Sequence, residues 1–243
     1  MEDWTGEDMW LEGKLKFRNH LSKTSKEIIM LNWYLKTIIS QGLEYPGNSQ
    51  DMLSKMFNNS KRWTIDEIGD EDKRKIYDYT KRSYEKGDTK QVFDERTFWN
   101  KVRNGPWIFY GDKNMTGYVT VREMHEIPGM LKLTGMAGGM KGVIAGMALL
   151  LKENKPLIGA VTSQVYDMAI RGGFNTLPSE DIKLFINHAP RGVWGYGGKP
   201  AISPAGDLQV NMPELNKTID KKFICNEAFI NWLNTNYKSK GNG

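Results

Sequence analysis

Four glycines, Gly135, Gly138, Gly139 and Gly142, break an apolar run inside the stretch LKLTGMAGGMKG. Glycines at a strand-to-helix turn let backbone N–H groups approach an oxyanion closely, and the positive end of the helix dipole stabilises it there. Lys141 adds a cation to the same turn. Gly138, Gly142 and Gly146 also recur every four residues, the spacing of one helix face, so close packing of that helix on a sheet is a second, compatible use. Glu123, His125 and Glu126 form another group that can do chemistry: a carboxylate or imidazole at a strand end can take a proton from an amine through water. Strand alternation puts Glu123 and His125 on one face and Glu126 on the other; solvated charges at a strand end are the plainer reading. Arg191, Trp194, Tyr196 and Lys199 interleave with glycines in a third segment. Such a loop can stack bases while its cations meet phosphates, close over a substrate, or simply pack.

These groups need positioning elements. The run from Leu131 predicts a strand entering the glycine turn, then a helix over about Met140–Lys152 that Lys155-Pro156 closes. A second strand follows at Leu157–Val161, then a helix ending at Gly172-Gly173-Phe174. Trp107–Tyr110 and Tyr118–Val121 are β-rich and flank Gly111-Asp112-Lys113-Asn114, which predicts a hairpin. Residues 1–103 read as a helical N-terminal region, with helices over Glu27–Ser40, Asp51–Phe57, Asp66–Lys86 and Phe93–Arg103. Residues 104–243 form the core domain. Within it Asp181–Ile186 alternates as a strand, 189–213 is a glycine- and proline-rich loop, and Lys222–Tyr237 is a final helix. The fold class is α+β, a mixed sheet with flanking helices.

Composition narrows the function classes. The 39% hydrophobic residues and eight Trp support a real core, and charges of both signs are interspersed at a net +5. That balance permits nucleic acid or another anionic partner without requiring one. A single cysteine, Cys225, excludes an intrachain disulfide framework and a multi-cysteine zinc site. The three histidines are scattered with no metal-ligand spacing. No Gly-x-Ser-x-Gly elbow accompanies them. The segment MEDWTGEDMW lacks a basic, apolar leader, and the longest uncharged apolar run, Gly142–Leu151, is too short to span a bilayer. These features predict a cytoplasmic protein without a membrane span.

The order hairpin, strand, glycine turn at a helix N-terminus, strand, and helix closing on Gly173-Phe174 resembles the GNAT acyl-CoA N-acyltransferases. The resemblance covers 107–186, about a third of the chain. It implies a GNAT-like core that binds acetyl-CoA or another acyl-CoA and transfers the acyl group to an amine acceptor by direct attack. Gly138, Gly139, Met140, Lys141 and Gly142 would hold the pyrophosphate. The backbone of Thr134 and Gly135 would pair with the pantetheine arm, which the family admits between two splayed strands. Glu123 or His125 would be the base and Tyr166 the acid. The sequence departs from the family in two places: Met136 stands where the phosphate loop has Gln or Arg, and Ala169 where the helix carries its tyrosine. Two other readings stay open: a non-catalytic protein of this fold, such as a phage virion component, and a phage DNA-modifying enzyme.

Overall fold

The computed structural model describes residues 57–86, 94–171, 174–188, 200–212 and 217–238. They form one eight-stranded mixed sheet with helices on both faces. The strands are β1 (Ser60–Thr64), β2 (Ile108–Asp112), β3 (Gly117–Glu123), β4 (Leu131–Gly138), β5 (Leu157–Val161), β6 (Ala201–Ile202), β7 (Leu208–Met212) and β8 (Lys217–Cys225). Their spatial order is β1-β2-β3-β4-β5-β8-β7-β6. Neighbours are antiparallel except β4 and β5, which are parallel. The parallel pair requires a crossover, and α3 (Met140–Lys152) supplies it.

Residue parity decides which helix covers which face. Tyr110, Val119, Val121, Leu131 and Leu133 turn to one face and pack with Val143, Ile144 and Met147 of α3. Their neighbours Phe109 and Tyr118 turn to the other, against Ile76 of α1 (Asp70–Lys86) and Phe98 and Val102 of α2 (Glu95–Asn104). On that second face the far half of the sheet, Ile158, Phe223 and Cys225, is covered by Phe185 of α5 (Ser179–His188) and Phe229 of α6 (Glu227–Leu233). Helix α4 (Ser163–Arg171) follows β5 and buries Ala169 on the α3 side. Each large apolar side chain so buried contributes about 1.5–3 kcal/mol relative to exposure.

The hairpin, the glycine turn and the strand–helix pairs on either side form as the sequence predicts. Four elements differ. Residues 181–186 lie in helix α5, because Ile182, Phe185 and Ile186 are buried together at helical spacing. Residues 222–225 belong to strand β8: Phe223 and Cys225 face one layer and Ile224 the other, so the run is apolar on both sides. The final helix therefore starts after Asn226. Within the expected loop 189–213, Leu208 and Val210 alternate inward as β7, while 189–199 lie outside the described residues. Finally, β1 pairs along its whole length with β2, so a strand of the sheet precedes the boundary expected at 103–104. The helices expected over Glu27–Ser40 and 51–56 lie outside the described residues. Among those described, no helix is long and apolar enough to cross a membrane.

Candidate functional site

The glycine turn sits where β4 ends and α3 begins. Gly139 is the N-cap of α3, and no side chain caps it. The first turn holds no acidic residue. Gly138, Gly139 and Met140 are exposed and Lys141 is half-buried. Three other helices are treated differently. The Asp94 carboxylate accepts from Thr97 N at α2, the Asn226 amide oxygen accepts from Phe229 N at α6, and three acids open α1. No side chain therefore caps the start of α3, and its exposed Met140 and half-buried Lys141 stand at that turn, an arrangement able to hold an oxyanion.

The same glycines also serve packing. Gly138 has φ of +92°, a backbone that disfavours any side chain, and Gly139 N donates to Thr116 O at 2.7 Å. A Cβ on Gly142 would stand 2.2 Å from Gly117 N, and one on Gly146 would stand 2.3 Å from Tyr110 O. The α3 backbone thus rests directly on β2 and β3. Gly117 is the matching relief on the sheet side, since a Cβ there would meet Gly139 O at 2.2 Å. Sequence reading missed Gly117; its place just after a turn was the available signal. Gly142 is buried by this packing, while Gly138, Gly139, Met140 and Lys141 stay on the surface side.

Below the turn, β4 and β5 separate. They pair only at Leu131↔Leu157 and Lys132↔Ile158. Beyond that β4 stays with β3 and β5 with β8. The register of β3 and β4 slips between Thr120 and Val121, leaving Thr134 as the extra residue of a bulge. Thr134 Oγ1 donates to Thr120 Oγ1 at 2.8 Å, and Thr120 Oγ1 donates to Gly135 O at 3.2 Å. Both bonds join Thr134 and Gly135, the expected pantetheine partners, to β3; the two residues lie on the stretch of β4 beyond its last pair with β5.

The expected acid–base residues do not converge there. Strand β3 ends at Glu123, so His125 and Glu126 lie on the connection to β4 and strand alternation does not place them. Glu123 accepts from Gly129 N at 2.6 Å, which fixes the β3–β4 turn. It registers with Leu131, at the opposite end of β4 from the glycine turn. His125 is exposed. Tyr166 sits on α4, packed against the core cluster, with the Lys222 ammonium 5.3 Å above its ring centroid. Ala169, one turn on, is fully buried.

A second group escaped sequence reading. Lys132 is 7% exposed on β4 and registers with Arg122 on β3. Burial pushes its ammonium down to about 7; Arg122, Lys221 and Lys101 push the same way, and Glu126 opposes them. Lys221 on β8 is also lowered, to about 8, by burial. The signal was a lysine inside the apolar strand Leu131-Lys132-Leu133, read simply as part of the entering strand. No protein-family model matches the chain, and no curated protein or solved structure matches it.

Proposed function

We propose that the protein is a GNAT-like N-acyltransferase that uses an acyl-CoA and an amine acceptor. The supporting observation is the parting of β4 and β5 after two residue pairs, directly beneath an uncapped, lysine-bearing helix N-terminus. A parallel pair that opens in this way offers one free backbone edge on each strand, suited to an extended arm with amide groups. The helix N-terminus above it suits a pyrophosphate. In this reading Met140 and Lys141 meet the phosphates, with Gly138 and Gly139 allowing close approach. Thr134 and Gly135 present the β4 edge to the pantetheine arm. Acyl-CoA supplies a thioester carbonyl; the acceptor nitrogen attacks it, the C–S bond breaks, and the amine proton leaves to a base. Because Glu123, His125 and Tyr166 do not converge on the opening, this reading assigns none of them to the step: the amine proton passes to water and the CoA sulfur leaves as the thiolate.

Calorimetric titration with CoA and acetyl-CoA tests the proposal. Binding that Lys141→Glu weakens by about tenfold, the worth of one lost charge-assisted contact made repulsive, is the expected result. No binding to wild type at millimolar ligand would sink it.

The full burial of Ala169, where the family places its acid, favours a second reading: a protein of this fold that binds without catalysing. CoA binding with no acyl transfer to any amine panel would select it.

A further inference from the structure

We infer that Asp112 and Thr116, in the β2–β3 turn, are positioning residues for the glycine turn: Asp112 holds Thr116, and Thr116 holds Gly139 where the start of α3 would meet an oxyanion. The oxyanion rests on the acyltransferase reading; the hold on Gly139 does not.

The two turns are joined by hydrogen bonds. Asp112 ends β2 and Gly117 opens β3. Between them Met115 N donates to Asp112 O, and Thr116 N and Oγ1 both donate to Asp112 Oδ1, each bond at 2.8 Å. Met115 is fully buried with φ of +48°, a backbone uncommon for a residue other than glycine. Thr116 O in turn accepts from Gly139 N at 2.7 Å. The same carbonyl lies 2.9 Å from where a Cβ on Gly138 would stand and 3.0 Å from one on Gly139. Gly117 pairs with Gly138 in the sheet. The N-cap of α3 is therefore set by a backbone carbonyl of another hairpin, and that carbonyl by a carboxylate.

Asp112 is fully buried, and its Oδ2 has no hydrogen-bond partner among the described residues. A buried polar atom in that state costs free energy. Two features offset the cost. Oδ1 takes two bonds from Thr116 at once, and a carboxylate accepts more strongly than a neutral group. Oδ1 would also stand 2.6 Å from a Cβ on Gly142, so the carboxylate lies against the first turn of α3, where the helix dipole favours negative charge. What the arrangement secures is a fixed Gly139. Backbone N–H groups that hold an oxyanion must be ordered before it arrives, because ordering them on binding subtracts from affinity.

The test measures amide exchange and CoA affinity in the full chain. Asp112→Ala and Thr116→Val each remove the side-chain link; Asp112→Asn and Thr116→Ser each keep it. The first pair should speed exchange of the Gly139 amide by about tenfold or more, while the Phe229 amide, capped by Asn226, is unchanged. The second pair should leave both amides close to wild type. CoA affinity should follow the same order: about tenfold weaker without the link and retained with it. Asp112→Asn should bind at least as tightly as wild type, because it removes a negative charge from beneath the turn. Residues that serve stability alone would lower the melting temperature without ordering the affinities in this way. Thr116→Val keeps the buried carboxylate, and it carries the test where Asp112→Ala does not fold. Gly139 exchange unmoved by Thr116→Val, or CoA bound equally by all four variants, overturns the inference. A wild-type chain that ignores CoA while the exchange order holds loses only the acyltransferase reading.

Discussion

The two ends of the β4–β5 pair are built to opposite purposes. At the closed end the chain spends polar groups on holding the strands together. Asn226 Oδ1 accepts from Leu157 N and Phe229 N, both at 3.0 Å, and its Nδ2 donates to Lys155 O at 2.8 Å. One side chain thereby ties the start of β5, the end of β8 and the first turn of α6. At the open end the strands part, the helix above is uncapped, and glycines replace side chains. Rigidity at one end lets the other stay apart without the sheet unravelling. The contrast separates residues whose loss should cost stability from those whose loss should cost binding.

The largest effect is expected where the open end is itself packed. Gly142→Asp would place a Cβ 2.2 Å from Gly117 N and 2.6 Å from Asp112 Oδ1, adding a second buried carboxylate to one whose Oδ2 already lacks a partner. The fold should be lost, with no cooperative melt by circular dichroism. Gly135→Ala, whose nearest neighbour would be Thr120 Oγ1 at 3.4 Å, should cost less than about 1 kcal/mol. Equal tolerance of both changes would mean that α3 does not rest on the β2–β3 backbone.

At the closed end, Asn226→Ala removes the α6 cap and strands Leu157 N in a buried setting. A loss of about 2–4 kcal/mol in urea unfolding is expected. A loss under about 0.5 kcal/mol, the range of an ordinary surface change, would mean that the strands are held by packing alone.

The buried lysines of β4 and β8 should respond to pH. Lys132 lies near 7 in the folded chain against 10.5 unfolded. Between those values the unfolded chain binds more protons, so stability should rise with pH from about 7 to 10.5. Below about 7 the penalty is complete and constant. Lys221, near 8, adds a slope of the same sign from there upward. Lys132→Met should therefore raise stability at pH 7 by about 1–3 kcal/mol and flatten the profile, with the gain shrinking toward pH 10.5. A destabilised variant would show instead that the ammonium is held by attractive contacts.

How legible this was in the sequence depended on whether local pattern or distant pairing decided each element. The bounds of α3 and β5 follow from glycine, proline and an apolar run, all local, and were readable. Strand β8 was not: Phe223-Ile224-Cys225 is apolar on both faces because β5 and two helical layers cover it, and such a run has no period to separate strand from helix. Helix α5 was misread because Asp181 and Lys183 mimic alternation, while Ile182, Phe185 and Ile186 carry the true period. At the site, the glycine turn was visible but its double duty was not, since only the approach of Gly117 shows that Gly142 is taken by packing. Lys132 stayed hidden because a lysine in a strand is ordinarily solvated; its burial depends on α2, β3 and β8 arriving from elsewhere in the chain.

The smallest expected change in stability carries the sharpest test of the open end. Lys141→Glu puts a carboxylate into the first turn of a helix that has none. By the dipole alone this should stabilise the fold, by about 0.3–1 kcal/mol at low salt. The same change should weaken CoA about tenfold, because the carboxylate faces the phosphates that the bare N–H groups would otherwise hold. Lys152→Glu, at the other end of the same helix, reverses the first sign and lacks the second effect: it opposes the dipole and so costs a few tenths of a kcal/mol, and it leaves CoA affinity alone. Thermal melts and CoA titrations on the two variants therefore give four outcomes. A stabilised Lys141→Glu protein with weakened CoA binding means that the helix start was left bare for a ligand. A stabilised protein that never bound CoA means that the turn is glycine-rich for packing alone.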